Sequence, residues 1–193
     1  MKRITVFCGA SAGNSPEYIE QAKELGETLA KNNIELVYGG ARIGLMGAVA
    51  DAVLANGGRV SGVLPDFLKS KEIAHSSLTE LIIVKSMHER KTKMNDISDG
   101  VIALPGGFGT MDELFEMLTW AQLGLHQKPI GLLNTNGYYD GLVELIQSMT
   151  NKGFVSTMNQ SMLTVSESID ELLSKMKNYK PPHVSKWIKE EDI

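Results

Sequence analysis

Residues 100–113 read GVIALPGGFGTMDE, an apolar run that leads into a glycine-rich turn and then into the start of a helix. The apolar run has the length of a strand, and Pro105 cannot continue a strand inside a sheet. The three glycines among residues 106–109 tolerate positive φ and leave the backbone amides uncovered. Thr110 and Glu113 have the spacing of a capping box, so the sequence predicts that Thr110 caps the helix that follows.

A glycine turn that enters a helix is also a candidate anion site. The unpaired N–H groups at a helix N-terminus and the helix dipole both attract a phosphate. Residues 106–110, named here the phosphate cradle, are therefore candidates for holding one. The alternative is that the glycines only make a tight turn and that Glu113 only closes a capping box.

The alternation of strand and helix continues along the whole chain. Predicted strands cover residues 4–8, 34–38, 59–64, 81–84, 100–104, 129–133 and 162–165. Predicted helices lie between them, among them 16–31, 86–96, 138–151 and 169–176, with a loop and a short helix between 65 and 78. Short links and continuous apolar strands predict an α/β fold, with a mostly parallel sheet of about seven strands covered by helices on both faces. We expect one domain over 1–180 and a tail over 181–193.

Three glycine-rich loops, at residues 9–13, 39–47 and 105–109, each follow a predicted strand. The carboxyl ends of parallel strands meet at one edge of a sheet, and ligands of open α/β sheets bind at that edge. The sequence therefore predicts that the three loops converge on one binding site.

The composition is that of a globular domain, with 193 residues of which 42% are hydrophobic and 22% charged. A net charge of −4 argues against a protein that binds a nucleic-acid backbone, which needs a basic surplus. The single cysteine, Cys8, excludes an intrachain disulfide and fits a reducing compartment. The dispersed histidines lack metal-ligand spacing, and no run approaches the roughly 18 apolar residues of a membrane span. We expect a cytoplasmic protein with no metal, no nucleic-acid partner and no membrane partner.

A basic stretch, MHERKTKM, follows the fourth predicted strand. Ser86 and Glu89 have capping-box spacing, which places Arg90 and Lys91 in the first turns of a helix. The helix dipole disfavours cations there, so a bound anion such as a phosphate would explain them. The alternative is a solvated basic face shared with Lys93.

Several kinds of catalytic site are unsupported by the sequence. It offers no Ser-His-Asp or Cys-His set, no Walker motif, and no Gly-x-Gly-x-x-Gly pattern after the first strand. One carboxylate, Glu113, remains beside the phosphate cradle and the basic pair. This combination suits hydrolysis of a phosphorylated sugar derivative, in which a carboxylate faces the developing oxocarbenium charge and directs a water.

Two motifs carry a family resemblance. Residues 105–113 match PGGxGTxxE and residues 87–91 match MHxRK, and with them the chain resembles the LOG (Lonely Guy) family of cytokinin riboside 5′-monophosphate phosphoribohydrolases. The resemblance covers nearly the whole chain, although Ala41 stands where many members have a third glycine and Ala10 where serine is frequent. Members have also been labelled lysine decarboxylase-like, a label that implies pyridoxal phosphate chemistry, for which the sequence offers no support.

The resemblance implies a Rossmann-like three-layer fold, a homodimer, and cofactor-free cleavage of an adenine-type nucleoside 5′-monophosphate to free base and ribose 5-phosphate. By motif position, Arg90 and Glu113 would be the catalytic pair. Gly107, Gly109 and Thr110 would hold the phosphate. The full set of substrate contacts implied in this way is Glu72, Met87, Lys91, Gly106, Gly107, Phe108, Gly109, Thr110, Met111, Asp112 and Thr119.

Two other functions stay open from the sequence. The glycine turn and fold also resemble those of molybdenum-cofactor carrier proteins, which bind a phosphorylated ligand without turning it over. A nucleotide sensor or partner-binding protein is the third reading. The sequence does not decide whether the base is plain adenine or carries an N6 prenyl group.

Overall fold

The structure, a computed structural model, describes residues 1–69 and 74–182. Its strands are β1 (Arg3–Phe7), β2 (Glu35–Tyr38), β3 (Val60–Pro65), β4 (Glu80–Val84), β5 (Gly100–Ala103), β6 (Ile130–Leu133) and β7 (Leu163–Ser166). Its helices are α1 (Pro16–Lys31), α2 (Gly44–Ala55), α3 (Asp66–Lys69), α4 (Met87–Asp96), α5 (Phe108–Gln122), α6 (Asp140–Asn151), α7 (Thr157–Gln160) and α8 (Ile169–Lys177). The predicted elements are present with ends shifted by a few residues, and the short helix α7 is an addition.

The strands form one sheet in the order β4-β3-β2-β1-β5-β6-β7, and every neighbouring pair is parallel. The chain first builds outward from β1 to β4 and then returns to β5 on the other side of β1. The order therefore reverses between β1 and β5, which is where ligands bind in open α/β sheets. The predicted parallel sheet of seven strands is confirmed.

Two apolar clusters separate the layers. One cluster joins the sheet to α1, α2 and α8, through residues that include Leu25, Val49 and Leu172. The other joins the opposite face to α4 and α5, through Met94 and Leu114 among others. Strands such as β2 and β5 are buried at every position, because helices cover both of their faces. The three-layer architecture is therefore confirmed.

Within residues 1–69 and 74–182, no helix is both long enough and apolar enough to cross a membrane. The predicted tail from residue 183 onward, and the predicted substrate residue Glu72, lie outside the described residues.

Candidate functional site

The three glycine-rich loops meet at the carboxyl edge of the sheet, as predicted. The amide of Gly9 donates to the carbonyl of Pro105 at 3.0 Å, and the carbonyl of Gly9 accepts from the amide of Leu45 at 3.1 Å. Gly44 has φ +57°, and a Cβ there would lie 2.4 Å from the carbonyl carbon of Ala10. The loops after β1, β2 and β5 thus form one backbone-lined surface at the point where the strand order reverses.

The phosphate cradle differs from its prediction in one respect. The N-cap of α5 is Gly107, with extended backbone, and the helix begins at Phe108. Thr110 is therefore the third residue of the helix, and the prediction that it caps α5 is wrong. The hydroxyl of Thr110 instead covers Gly106, where a Cβ would lie 2.1 Å from Thr110 Oγ1. Because Gly107 carries no side chain, the capping position stays open to a ligand.

The first amides of α5 face outward from this opening. Helical geometry leaves the amides of Phe108, Gly109 and Thr110 without partners inside the helix. A Cβ at Gly107 or Gly109 would meet nothing within 4 Å, so both glycines border open space. Phe108 is 97% exposed beside them. Uncovered amides, the helix dipole and open space are the features with which a helix terminus attracts an anion.

Two consecutive tyrosines from the turn before α6 bind backbone carbonyls in and just before the cradle. The hydroxyl of Tyr138 donates to the carbonyl of Gly106 at 2.5 Å, and that of Tyr139 donates to the carbonyl of Leu104 at 2.6 Å. Their rings meet edge to face with centroids 4.9 Å apart. Sequence reasoning missed them, although the turn in which they lie follows β6 and therefore stands at the same edge of the sheet.

Arg90 and Glu113 form a buried ion pair. Arg90 Nη1 lies 3.1 Å from Glu113 Oε1, and Arg90 Nε donates to the carbonyl of Val63 at 3.2 Å. Arg90 is 9% exposed and Glu113 8%. The alternatives that Arg90 belongs to a solvated face and that Glu113 closes a capping box are both wrong, because the two side chains meet across α4 and α5.

The start of α4 follows its prediction. Ser86 is the N-cap, and its hydroxyl accepts from the amide of Glu89 at 3.1 Å. The carboxylate of Glu89 accepts from the amide of Lys85 at 2.6 Å. This cap fixes the first turn of α4 and so the direction in which Arg90 leaves the helix.

Lys91 lies buried between α4 and α5. Its Nζ is 3.1 Å from Asp112 Oδ2 and 3.0 Å from Glu116 Oε2. Burial by itself lowers the pKa of the Lys91 ammonium, but the bonds to Glu116 and Asp112 outweigh burial and raise that pKa. Lys91 therefore keeps its charge, and two carboxylates of the chain already balance it.

Burial by itself lowers the pKa of Lys91 but has the opposite effect on the pKa of the Glu113 carboxyl. It raises the pKa of that carboxyl from 4.5 to about 6, against the attraction of Arg90, which lowers it. A carboxyl that is protonated so easily is typical of general acid–base sites. The neighbouring Cys8 thiol is buried, and burial raises its pKa, so it is a structural group and a poor nucleophile.

The remaining predicted contacts are spread over a wider area. Met87 is the first residue of α4 and is exposed, and Met111 packs against the apolar cluster under α5. Thr119 lies elsewhere: its hydroxyl donates to the carbonyl of Phe115 at 2.7 Å. Thr119 lines an apolar groove of about 230 Å³ between α5, α6 and α7. Within one chain, Thr119 is not brought together with the cradle.

A cleft of about 380 Å³ lies over the reversal point of the sheet. The loop 9–13, Tyr18, Leu45 and Tyr138 line it, and it reaches the cradle at Gly106 and Gly107. The Arg90–Glu113 pair is not part of this lining. The cradle thus borders the cleft, while the ion pair begins one turn further along α5.

Comparison with known sequences gives a consistent result. The family model described as "Possible lysine decarboxylase" matches residues 46–176. The cytokinin riboside 5′-monophosphate phosphoribohydrolase LOG1 of Arabidopsis thaliana is 48% identical over 182 residues, covering 94% of this chain and 85% of that protein. The probable cytokinin riboside 5′-monophosphate phosphoribohydrolase LOGL1 of Oryza sativa subsp. japonica is 48% identical over 181 residues, covering 94% and 81%.

Solved structures share the fold at lower identity. The molybdenum cofactor binding protein of Rippkaea orientalis superposes with a TM-score of 0.70 at 22% identity, over 92% of this chain and 97% of that one. The molybdenum cofactor carrier protein of Chlamydomonas reinhardtii gives 0.66 at 20% identity, over 91% and 96%. At such identities the likeness concerns the fold alone. The high identity to the plant proteins over almost the whole length decides the family, and the chain belongs to the LOG family of phosphoribohydrolases.

Proposed function

We propose that this protein hydrolyses the N-glycosidic bond of adenine-type nucleoside 5′-monophosphates and releases the free base and ribose 5-phosphate. The observation that carries the proposal is the buried Arg90–Glu113 pair, one helical turn beyond the uncovered amides of α5. Relatives named as phosphoribohydrolases at up to 48% identity support it. The structural likeness to cofactor carriers concerns the fold alone, so no observation favours a carrier.

The 5′-phosphate would bind at the cradle. The amides of Phe108, Gly109 and Thr110 and the dipole of α5 supply the attraction. Lys91 is already balanced by Asp112 and Glu116, so the backbone is the main phosphate ligand in this proposal. Anchoring the phosphate orients the ribose over Glu113, and the binding energy of a remote group is thereby used to accelerate the reaction.

Glu113 would act on the sugar. As the bond between C1′ and the base nitrogen breaks, its electron pair leaves with the base, and positive charge develops on the ribose. The Glu113 carboxylate stabilises that charge and directs a water whose oxygen bonds to C1′. One water proton passes to the carboxylate, which then releases it to solvent, and the departing base nitrogen takes up a proton from solvent. Arg90 holds Oε1 and favours the ionised carboxylate that these steps need.

We further propose that two copies associate and that the protein works in the cytoplasm. The apolar groove beside Thr119 offers a surface that a second copy could cover. The only cysteine, Cys8, is buried and unpaired, which fits a reducing compartment.

The test is release of free base from AMP and from N6-isopentenyl-AMP, with Glu113→Gln and adenosine as controls. We expect wild type to cleave at least one nucleotide, the variant neither, and adenosine to be a poor substrate because it lacks the phosphate. The ratio between the two nucleotides gives the preference for the base. Binding of a nucleotide without cleavage, or an active Glu113→Gln variant, would contradict the proposal.

A further inference from the structure

Gly39 lies directly after β2 and touches the guanidinium of Arg90. A Cβ built at Gly39 would lie 1.9 Å from Arg90 Nη2 and 3.1 Å from its Cζ. Gly39 does not have the positive φ of its neighbour Gly40, at +77°. The backbone conformation at position 39 therefore does not require glycine. The requirement comes from space, because the Arg90 guanidinium lies where a Cβ would be.

We infer that Gly39 is a positioning residue whose missing side chain sets the place of the Arg90 guanidinium. This inference rests on the proposed function in so far as the Arg90–Glu113 pair is assigned to the reaction. Three elements fix the guanidinium: the end of β2 at Gly39, the Val63 carbonyl of β3 at 3.2 Å, and Glu113 of α5 at 3.1 Å. With any other residue at position 39, the guanidinium could not keep all three contacts.

A Cβ at Gly39 would clash with a side chain, so Gly39→Ala should affect the position of Arg90 more than the fold. At Gly47 a Cβ would meet the Arg42 carbonyl oxygen at 2.2 Å, a backbone atom that cannot move without disturbing the fold. At Gly39 the obstructing atoms belong to the end of the flexible Arg90 side chain. The nearest atom of any other residue to the built Cβ is Met46 Sδ, at 3.3 Å. Gly39→Ala is therefore absorbed by moving the guanidinium, at the expense of its bonds to Val63 and Glu113.

A shifted guanidinium should reduce turnover more than substrate binding. A misplacement of about 1 Å in a catalytic group can cost about 100-fold in rate, so we expect kcat of Gly39→Ala to fall between about 10- and 100-fold. The affinity for ribose 5-phosphate, which depends on the cradle, should stay within about twofold. The matched control is Gly141→Ala in α6, where a Cβ meets nothing within 4 Å and kcat should not change.

The pH dependence supplies a readout that a merely structural role would not move. Arg90 lowers the pKa of Glu113, so loss of the contact should raise it. In Gly39→Ala the acid limb of the kcat/KM profile, and the carboxyl titration of Glu113 followed by ¹³C NMR, should both shift to higher pH. The Gly141→Ala titration should match wild type.

A double-mutant cycle tests the inference without relying on catalysis. Gly39→Ala should lower the thermal midpoint when Arg90 is present, and this loss should vanish in the Arg90→Ala background, where the Cβ has room. The same test applies if Gly39→Ala alone fails to fold, since the double variant should then regain folding. Equal losses in both backgrounds, or a double variant that stays unfolded although Arg90→Ala alone folds, would overturn the inference. If wild type releases no base but the cycle and the titration behave as expected, the proposed function fails and the positioning role stands.

Discussion

Glu113 is a carboxyl in surroundings that disfavour its charge. Burial raises its pKa from 4.5 to about 6, so between these values the folded protein binds a proton that the unfolded chain does not. Stability linked to this group is therefore fully present below pH 4.5 and is lost as the pH rises through about 6. At neutral pH the ionised group opposes folding.

We therefore expect Glu113→Gln to be more stable than wild type at pH 8, by about 2 kcal/mol. The amide keeps an oxygen that accepts from Arg90 and carries no charge to desolvate. The gain should shrink as the pH falls through about 6 and disappear near 4.5, as urea unfolding at several pH values would reveal. Glu144→Gln, at an exposed position on α6, is the control for replacing a carboxylate by an amide elsewhere in the chain. A stability difference that does not change with pH would contradict the assignment of the shift to Glu113.

At the scale of residues, the sequence identified the pair but not its contact. Arg90 and Glu113 stand in recognisable motifs, yet nothing local says that their side chains meet across two helices. The Thr-x-x-Glu spacing even pointed to a cap at Thr110, because the same spacing serves both a capping box and a carboxylate on the second turn. Gly39 carried no signal for its contact with Arg90, which depends on packing between distant segments.

At the scale of elements, the turn between β6 and α6 supports the loop between β5 and α5. Tyr138 and Tyr139 reach the carbonyls of Gly106 and Leu104. Each bond fixes a peptide plane at or just before the cradle. The direction of the cradle amides is thus set by a neighbouring loop as well as by α5 itself.

Because the two tyrosines differ in exposure, we expect their substitution by phenylalanine to have different effects. Tyr138 is 43% exposed and Tyr139 1%. Tyr138→Phe should raise KM for the nucleotide several-fold with little change in stability, since water can replace its bond. Tyr139→Phe should cost about 1–2 kcal/mol in the free energy of unfolding, because the buried carbonyl of Leu104 loses its donor. Steady-state kinetics of both variants measure the change in KM, and urea unfolding measures the change in stability. A stability loss confined to Tyr138→Phe would contradict the expectation.

The elements themselves were largely predictable. Apolar runs of strand length alternate with helical stripes, and the short links between them leave a parallel sheet as the natural arrangement. The start of α5 was harder to predict, because glycine and proline punctuation marks a turn without fixing its first helical residue. The support that the tyrosines give to the cradle depends on the neighbouring position of β5 and β6, which chain order alone does not reveal.

At the scale of the whole molecule, the two sides of the sheet differ in their outer surfaces. The α5–α7 side has an apolar groove lined by residues such as Phe115, Leu118 and Met149. Phe154, next to the groove residue Val155, is 83% exposed. An uncovered apolar surface of this kind is typical of an interface between subunits.

We therefore predict a dimer in solution that closes over this groove. Thr119→Glu, which puts a charge into the groove, should yield monomers, whereas Ser174→Glu on α8, on the opposite side of the sheet, should leave the dimer intact. Light scattering after size-exclusion chromatography measures the molar mass, and so the oligomeric state, of both variants. A wild-type protein that is monomeric at micromolar concentration, or a Thr119→Glu variant that stays dimeric, would argue against this interface.

The buried charge at position 113 also has an evolutionary consequence. A duplicated gene copy released from selection for base cleavage would gain stability from a neutral residue there that still accepts from Arg90, such as glutamine, so drift should remove the carboxylate early. The cradle glycines would persist in any descendant that still binds phosphate, whatever it does with the ligand. Among descendants of this chain, the residue at position 113 should therefore report whether cleavage is still under selection, and the glycines should not.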